Sequence, residues 1–100
     1  MAPVFVVERY LPGISRAEAE EVIQSEVALA AEMAAAGCGI RVVRATLVEG
    51  DETVVSFVEA DSREDVVALG RRAGAPADRV VQAVEMNIDF DPGAARGTSP

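Results

Sequence analysis

Histidine and lysine are both absent from this 100-residue sequence, and each absence excludes a type of chemistry. Without histidine, the chain lacks the usual general base near neutral pH and the commonest metal ligand. Without lysine, it cannot anchor pyridoxal phosphate or form a Schiff base through a side-chain amine. The one cysteine, Cys38, cannot form an intrachain disulfide, which fits a reducing compartment. The remaining residues indicate no particular cofactor.

Long apolar runs and an excess of positive charge are also missing. No run approaches the roughly 18 apolar residues of a membrane span, and the first residues lack the basic region of a signal peptide. The net charge of −8 disfavours nucleic acid and anionic membranes as partners. These features predict a soluble, cytoplasmic protein. The use of arginine alone as the cation, together with abundant alanine, suggests a GC-rich bacterial genome.

The apolar pattern predicts six elements in the order β-α-β-β-α-β. Strands are predicted at 4–10, 40–48, 53–60 and 80–86. The first helix should begin at the capping-box pair Ser15 and Glu18 and end at Gly37. We expect its buried stripe to comprise Ala19, Val22, Ile23, Val27, Ala30 and Ala34. The second helix should be capped by Asp61 or Ser62 and end near Gly74.

This order predicts an α+β fold of the ferredoxin-like type. Right-handed crossovers would give one antiparallel sheet in the strand order 4-1-3-2, with both helices on one face. Residues 1–90 would form a single domain, and the Gly/Pro-rich residues 91–100 a flexible C-terminal tail.

Side-chain alternation predicts that both faces of this sheet are apolar. A two-residue loop at Gly50 and Asp51 would place Arg44 opposite Phe57, and Val42 opposite Glu59. The helices can cover one face only. A second copy of the sheet is the simplest cover for the other, so we expect a homodimer.

Polar side chains on that second face are the candidate ligand-binding residues. They are Glu8, Tyr10, Arg44, Thr46, Phe57 and Glu59. In one interpretation they line a cleft for a small molecule, with Glu8 or Glu59 available as a general base. In the other, an Arg44–Glu59 ion pair fixes the register of the sheet or of the dimer. No catalytic or metal-ligating residue is assigned.

Three segments resemble a small bacterial domain family of unknown function that includes actinobacterial nickel-binding proteins. They are Val6-Val7-Glu8-Arg9, Phe57-Val58-Glu59-Ala60 and the stretch 72–80. The resemblance spans about residues 4–86 and implies a ferredoxin-like fold, dimerisation through the sheet and, in some members, metal binding. Family members often carry a cysteine near Ser56 and a histidine near Leu69. This sequence has neither residue type at those positions.

The leading hypothesis is therefore a dimeric protein that binds a small ligand, with the family's metal site in doubt. One alternative is a cofactor-free enzyme of the monooxygenase or isomerase type that uses a cleft carboxylate. The other is a structural interaction module whose tail, from Asn87 onward, docks on another chain.

Overall fold

The computed structural model describes residues 2–91 and has the predicted element order. The strands are β1 (Val4–Tyr10), β2 (Ile40–Val48), β3 (Thr53–Ala60) and β4 (Arg79–Ala83), and the helices are α1 (Arg16–Ala35) and α2 (Arg63–Arg72). All strand pairs are antiparallel and the sheet order is β2-β3-β1-β4. The ferredoxin-like α+β prediction, including the strand order, is confirmed.

Both helices begin after a serine. Its hydroxyl oxygen accepts a hydrogen bond from a first-turn backbone N–H that has no carbonyl partner within the helix. The Ser15 Oγ accepts from the Glu18 backbone N–H at 3.1 Å, and the Glu18 carboxylate accepts from the Ser15 N–H at 2.9 Å, as predicted for a capping box. The bond from the Ser15 backbone N–H, and after it the Ser15 side chain, holds the pKa of Glu18 below its usual value, because a hydrogen bond to the carboxylate favours its charged form. Ser62 caps α2 by accepting from the Asp65 N–H.

The core lies between the sheet and the two helices. One face of β1, β3 and β4 alternates into it, as the buried side chains of Phe5, Val7, Val58 and Val80 show. The helices contribute a second layer, which comprises Ala30, Met33, Val66 and Leu69. Burial stabilises each of the larger side chains by about 1.5–3 kcal/mol.

The buried stripe of α1 differs from the predicted one. Ala19 and Ala30 are buried as expected, but Val27 is 49% exposed. Glu26 and Met33 are buried in addition. The helix is turned towards Glu26 because that carboxylate pairs with an arginine inside the core, a contact that apolar periodicity does not register.

The β2–β3 hairpin keeps the predicted register near its turn and loses it further along. A short 3₁₀ turn at Glu49–Asp51 replaces the expected two-residue loop, yet Arg44 still pairs with Phe57. A β-bulge at Val43 then shifts the register, so that Arg41 lies opposite Glu59 and Val42 opposite Val58. The expected Val42–Glu59 pair is therefore wrong, and Val42 packs against the core instead.

β4 is shorter than the predicted strand 80–86 because its partner runs out. Val4, the first residue of β1, pairs with Ala83, and the preceding residue, Pro3, has no backbone N–H to extend the ladder. Of the tail expected at 91–100, residues 92–100 lie outside the described residues. Neither helix within residues 2–91 has the length and apolar character that crossing a bilayer requires.

Candidate functional site

The candidate residues lie on the face of the sheet that is turned away from the helices, which we call the outer face. Its centre is a row of four residues in register across all four strands: Arg44, Phe57, Val6 and Val81. The Arg44 guanidinium carbon lies 4.2 Å from the centroid of the Phe57 ring. This distance is within the range of a cation–π contact, so the aromatic ring is capped by a positive charge at the β2 edge.

An ion pair lies on each side of this central row. On one side, Arg41 donates to the Glu59 carboxylate at 3.0 and 3.3 Å. On the other side, Arg79 donates to Glu8 Oε2 at 3.3 Å. Glu8 and Glu59 are about one-third exposed and both arginines are about two-thirds exposed. The outer face therefore has an apolar centre that is flanked by two partly exposed ion pairs.

Tyr10 and Thr46 stand at the periphery of the outer face. Tyr10 ends β1, is 57% exposed, and donates its backbone N–H to Asp78 at 2.6 Å. Thr46 is exposed on the edge strand β2 and shares a row with Val55 and Glu8. Both residues therefore lie at the margin of the outer face rather than at its centre.

All six candidate residues thus share one face, but their pairing differs from the expectation. The sequence suggested an Arg44–Glu59 ion pair, whereas the Val43 bulge brings Arg41 to Glu59 and leaves Arg44 over Phe57. The enzymatic alternative would require one of the two flanking ion pairs to open, since each carboxylate is held by an arginine.

A second polar cluster is buried on the helix side and was not predicted as a site. Arg9 has a fully buried side chain, and its Nε donates to the carbonyl oxygen of Ala75 at 2.6 Å. Its Nη1 donates to Ser56 Oγ at 3.4 Å, and its Nη2 donates to Glu26 Oε2. The arginine therefore ties β1 to β3, to α1 and to the loop before β4.

The sequence did contain a signal for this cluster. Alternation along β1 places Arg9 on the same face as Phe5 and Val7, and Glu26 lies seven residues after the buried Ala19 on α1. A cation and an anion on two buried faces predict a buried pair, because neither charge is tolerated there alone. Within the described residues, the second carboxylate oxygen of Glu26 has no hydrogen-bond partner.

Two open grooves lie on the helix side. One, of about 540 Å³, runs between α1 and the edge strand β2 and is lined by Ala19, Ile23, Ala45, Leu47 and Val54 among others. The other, of about 620 Å³, lies between the loop after β1 and the loop after α2. Of the six candidate residues, Thr46 alone borders either groove.

Cys38, at the exit of α1, is poorly suited to reactivity. Desolvation raises the pKa of its thiol, and the nearby Asp65 and Asp61 raise it further. The thiolate is therefore disfavoured at neutral pH.

The model of the family described as nickel responsive protein SCO4226-like matches residues 5–83. The chain belongs to this family. No curated protein matches it. The fold is similar to that of SCO4226 from Streptomyces coelicolor A3(2), whose crystal structure superposes with a TM-score of 0.72 at 19% identity, covering 83% of this chain and 98% of that one.

The donors available in this SCO4226-like chain do not fit a nickel site within one subunit. Imidazole is a ligand well suited to nickel, and the chain has no histidine. Among residues 2–91, no group of three or more cysteine, aspartate or glutamate side chains is placed to hold a metal ion. The family's description is therefore not matched by a metal-binding arrangement in the subunit.

Proposed function

We propose that two copies of this chain pair through their outer faces and hold a small carboxylate ligand between them. The observation that carries this proposal is the central row of the outer face, in which Arg44 stacks on Phe57 beside Val6 and Val81. The two helices lie on the opposite side of the sheet, so they do not cover this row.

Pairing is favoured by the apolar area of the outer face. Val4, Val6, Val55, Phe57, Val81 and Ala83 share this face. Removing such surface from water contributes about 25 cal/mol per Å². A two-fold dimer places the same row of each copy against the other, so one self-complementary surface covers both.

The ligand class follows from the charges. Glu8 and Glu59 are each neutralised by an arginine, whereas Arg44 has no carboxylate partner among the described residues. A guanidinium presents a planar fork of donors that matches a carboxylate. A ligand with an apolar body and one carboxylate could therefore lie against Phe57 and bind Arg44.

Melting curves with benzoate, and with uncharged benzamide as the matched control probe, test the ligand class. Benzoate is expected to raise the melting temperature saturably, benzamide much less, and Arg44→Ala should abolish the difference. Arg71→Ala, at the exposed end of α2, should retain it. Equal shifts in wild type and Arg44→Ala, or no shift with benzoate, would contradict the proposed ligand site.

Nickel chloride provides the second arm of the same experiment. We expect no saturable shift with nickel, because the subunit does not provide a suitable donor set. A saturable shift with nickel but not with benzoate would instead favour a metal site formed between subunits.

A further inference from the structure

The segment after β4 keeps the apolar–polar alternation of a strand but pairs with no strand among residues 2–91. We call residues 84–90 the arm. Its even-numbered side chains are apolar and exposed: Val84 is 85%, Met86 64%, Ile88 52% and Phe90 81% exposed. Its odd-numbered residues are Glu85, Asn87 and Asp89. A segment that alternates apolar and polar residues in this way is typical of a strand that completes its pairing elsewhere.

The arm also lies beyond the part of the chain that matches the family. The family model ends at Ala83, which is the last residue of β4 and the last to pair with β1. The ferredoxin-like sheet is complete without the arm. Its apolar side is therefore not accounted for by the core of this subunit.

A surface that would accept a strand lies at the opposite edge of the sheet. In the part of the chain that the structure describes, β2 is an edge strand, and the groove between it and α1 is lined by Ile23 and Leu47, among other residues. Val27 on α1 and Val43 on β2 are 49% and 43% exposed. An uncovered edge strand beside partly exposed apolar side chains is a template for β-augmentation.

The two sides of the arm fit the two sides of this edge. If the alternation of β4 continues, the even-numbered arm residues stay on the helix side with Val80, where the groove lies. Glu85 and Asp89 then lie on the outer face. β2 presents Arg41 on that face, where it pairs with Glu59, so an acidic arm residue would extend this charge cluster across the new strand pair.

The arm cannot reach the β2 edge of its own subunit with all four apolar residues. It leaves from β4, and a fifth strand beside β2 would lie four strand spacings away, or about 19 Å. Seven extended residues span at most about 25 Å. The crossing would therefore use most of the arm before pairing begins.

We propose that the arm of one subunit adds to the β2 edge of a second copy and inserts its apolar side chains into the groove beneath α1. This inference rests on the self-association proposed above and names a second contact between the copies. The arm and the outer face would then be complementary parts of one assembly.

Amide hydrogen exchange on the full chain tests this contact. β2 amides that point away from β3 should be protected at concentrations where the protein is a dimer. Ile88→Asp should speed their exchange at least tenfold and weaken the dimer at least tenfold. Asn87→Asp adds the same charge on the polar side of the arm, and should change neither quantity by more than threefold. Amides bonded to β3 serve as the internal reference.

The possible results separate the two proposals. Protection that is lost on dilution and in Ile88→Asp supports docking on a second copy. A dimer whose outward β2 amides exchange freely overturns the arm contact and leaves the pairing of outer faces intact. Protection that persists at concentrations where the protein is a monomer overturns the contact between copies. A monomer at every concentration overturns both proposals.

Discussion

The same kind of ion pair is buried on one side of the sheet and partly exposed on the other. On the helix side, Arg9 and Glu26 are 0% and 1% exposed, and the arginine is also fixed by a backbone carbonyl. On the outer face, the Arg41–Glu59 pair stands partly in water. A charge removed from water depends on its partner, whereas an exposed one can be solvated instead. The helix-side pair therefore holds β1 and α1 together, whereas the outer pairs neutralise charges on an exposed face.

The largest effect should come from breaking the helix-side pair. Glu26→Ala leaves the Arg9 guanidinium buried without its counter-charge, so the free energy of unfolding should fall by about 3–5 kcal/mol. Urea denaturation at constant protein concentration measures this loss. The double variant Arg9→Met/Glu26→Leu is the control and should recover most of the stability, because it removes both charges. A loss below about 1 kcal/mol in Glu26→Ala would mean that the buried pair contributes no more stability than an exposed one, and would contradict the comparison.

A second test replaces Gly70, whose lack of a side chain leaves room for the buried Arg9. A Cβ atom at Gly70 would lie 3.2 Å from the Ala75 carbonyl oxygen and 3.4 Å from Arg9 Nη2. Gly70→Val should therefore cost about 1–3 kcal/mol of unfolding free energy through overpacking. Gly50→Val is the control, since a Cβ there meets nothing within 4 Å, and should stay within about 0.5 kcal/mol of wild type. Equal effects at the two positions would contradict the close packing around Arg9.

An intermediate effect is expected at the start of α1, where an exposed carboxylate has backbone as well as side-chain partners. Ser15→Ala should lower the free energy of unfolding by about 1 kcal/mol, while Ser25→Ala, within the helix, should have less effect. Because the pKa of Glu18 is depressed in the folded state, its contribution is present above the unfolded value of about 4.3 and is lost as pH falls through the folded value.

Denaturation curves across the acid range check this sign. The stability difference between wild type and Glu18→Gln should shrink as the pH falls below about 4. A difference that grows towards acid would show that the carboxylate is not favoured by the cap.

The smallest effect should come from the outer face. Arg41→Ala removes a pair that is largely in water, so the loss should be about 0–1 kcal/mol and should shrink further at high salt. A double-mutant cycle between Arg41 and Glu59 measures the coupling directly. A coupling above about 3 kcal/mol would mean that this pair is desolvated, as the helix-side pair is.

Much of the fold follows from local rules that the sequence displays. The Ser15–Glu18 cap, the Arg44–Phe57 register and the strand order are all as predicted. Each depends on neighbouring residues or on the topology of the connections. The candidate residues of the outer face share one side because side chains alternate along each strand on either side of the bulge.

The remainder depended on contacts between distant parts of the chain. The β-bulge at Val43 brings Arg41 rather than Arg44 to Glu59. No glycine or proline in the sequence marks the position of this bulge. The rotation of α1 follows from the pairing of Arg9 with Glu26, which are 17 residues apart and carry charges that hydrophobic periodicity counts as exposed. β4 ended early for lack of a partner, a limit set by β1 rather than by its own residues.

Sedimentation at micromolar concentration tests most directly whether the outer face is covered by a second copy. The account predicts a species of twice the 10.5 kDa subunit mass, which Phe57→Arg converts to monomers and the rear-side variant Arg71→Ala does not. A wild-type chain that sediments as a monomer at these concentrations would contradict it.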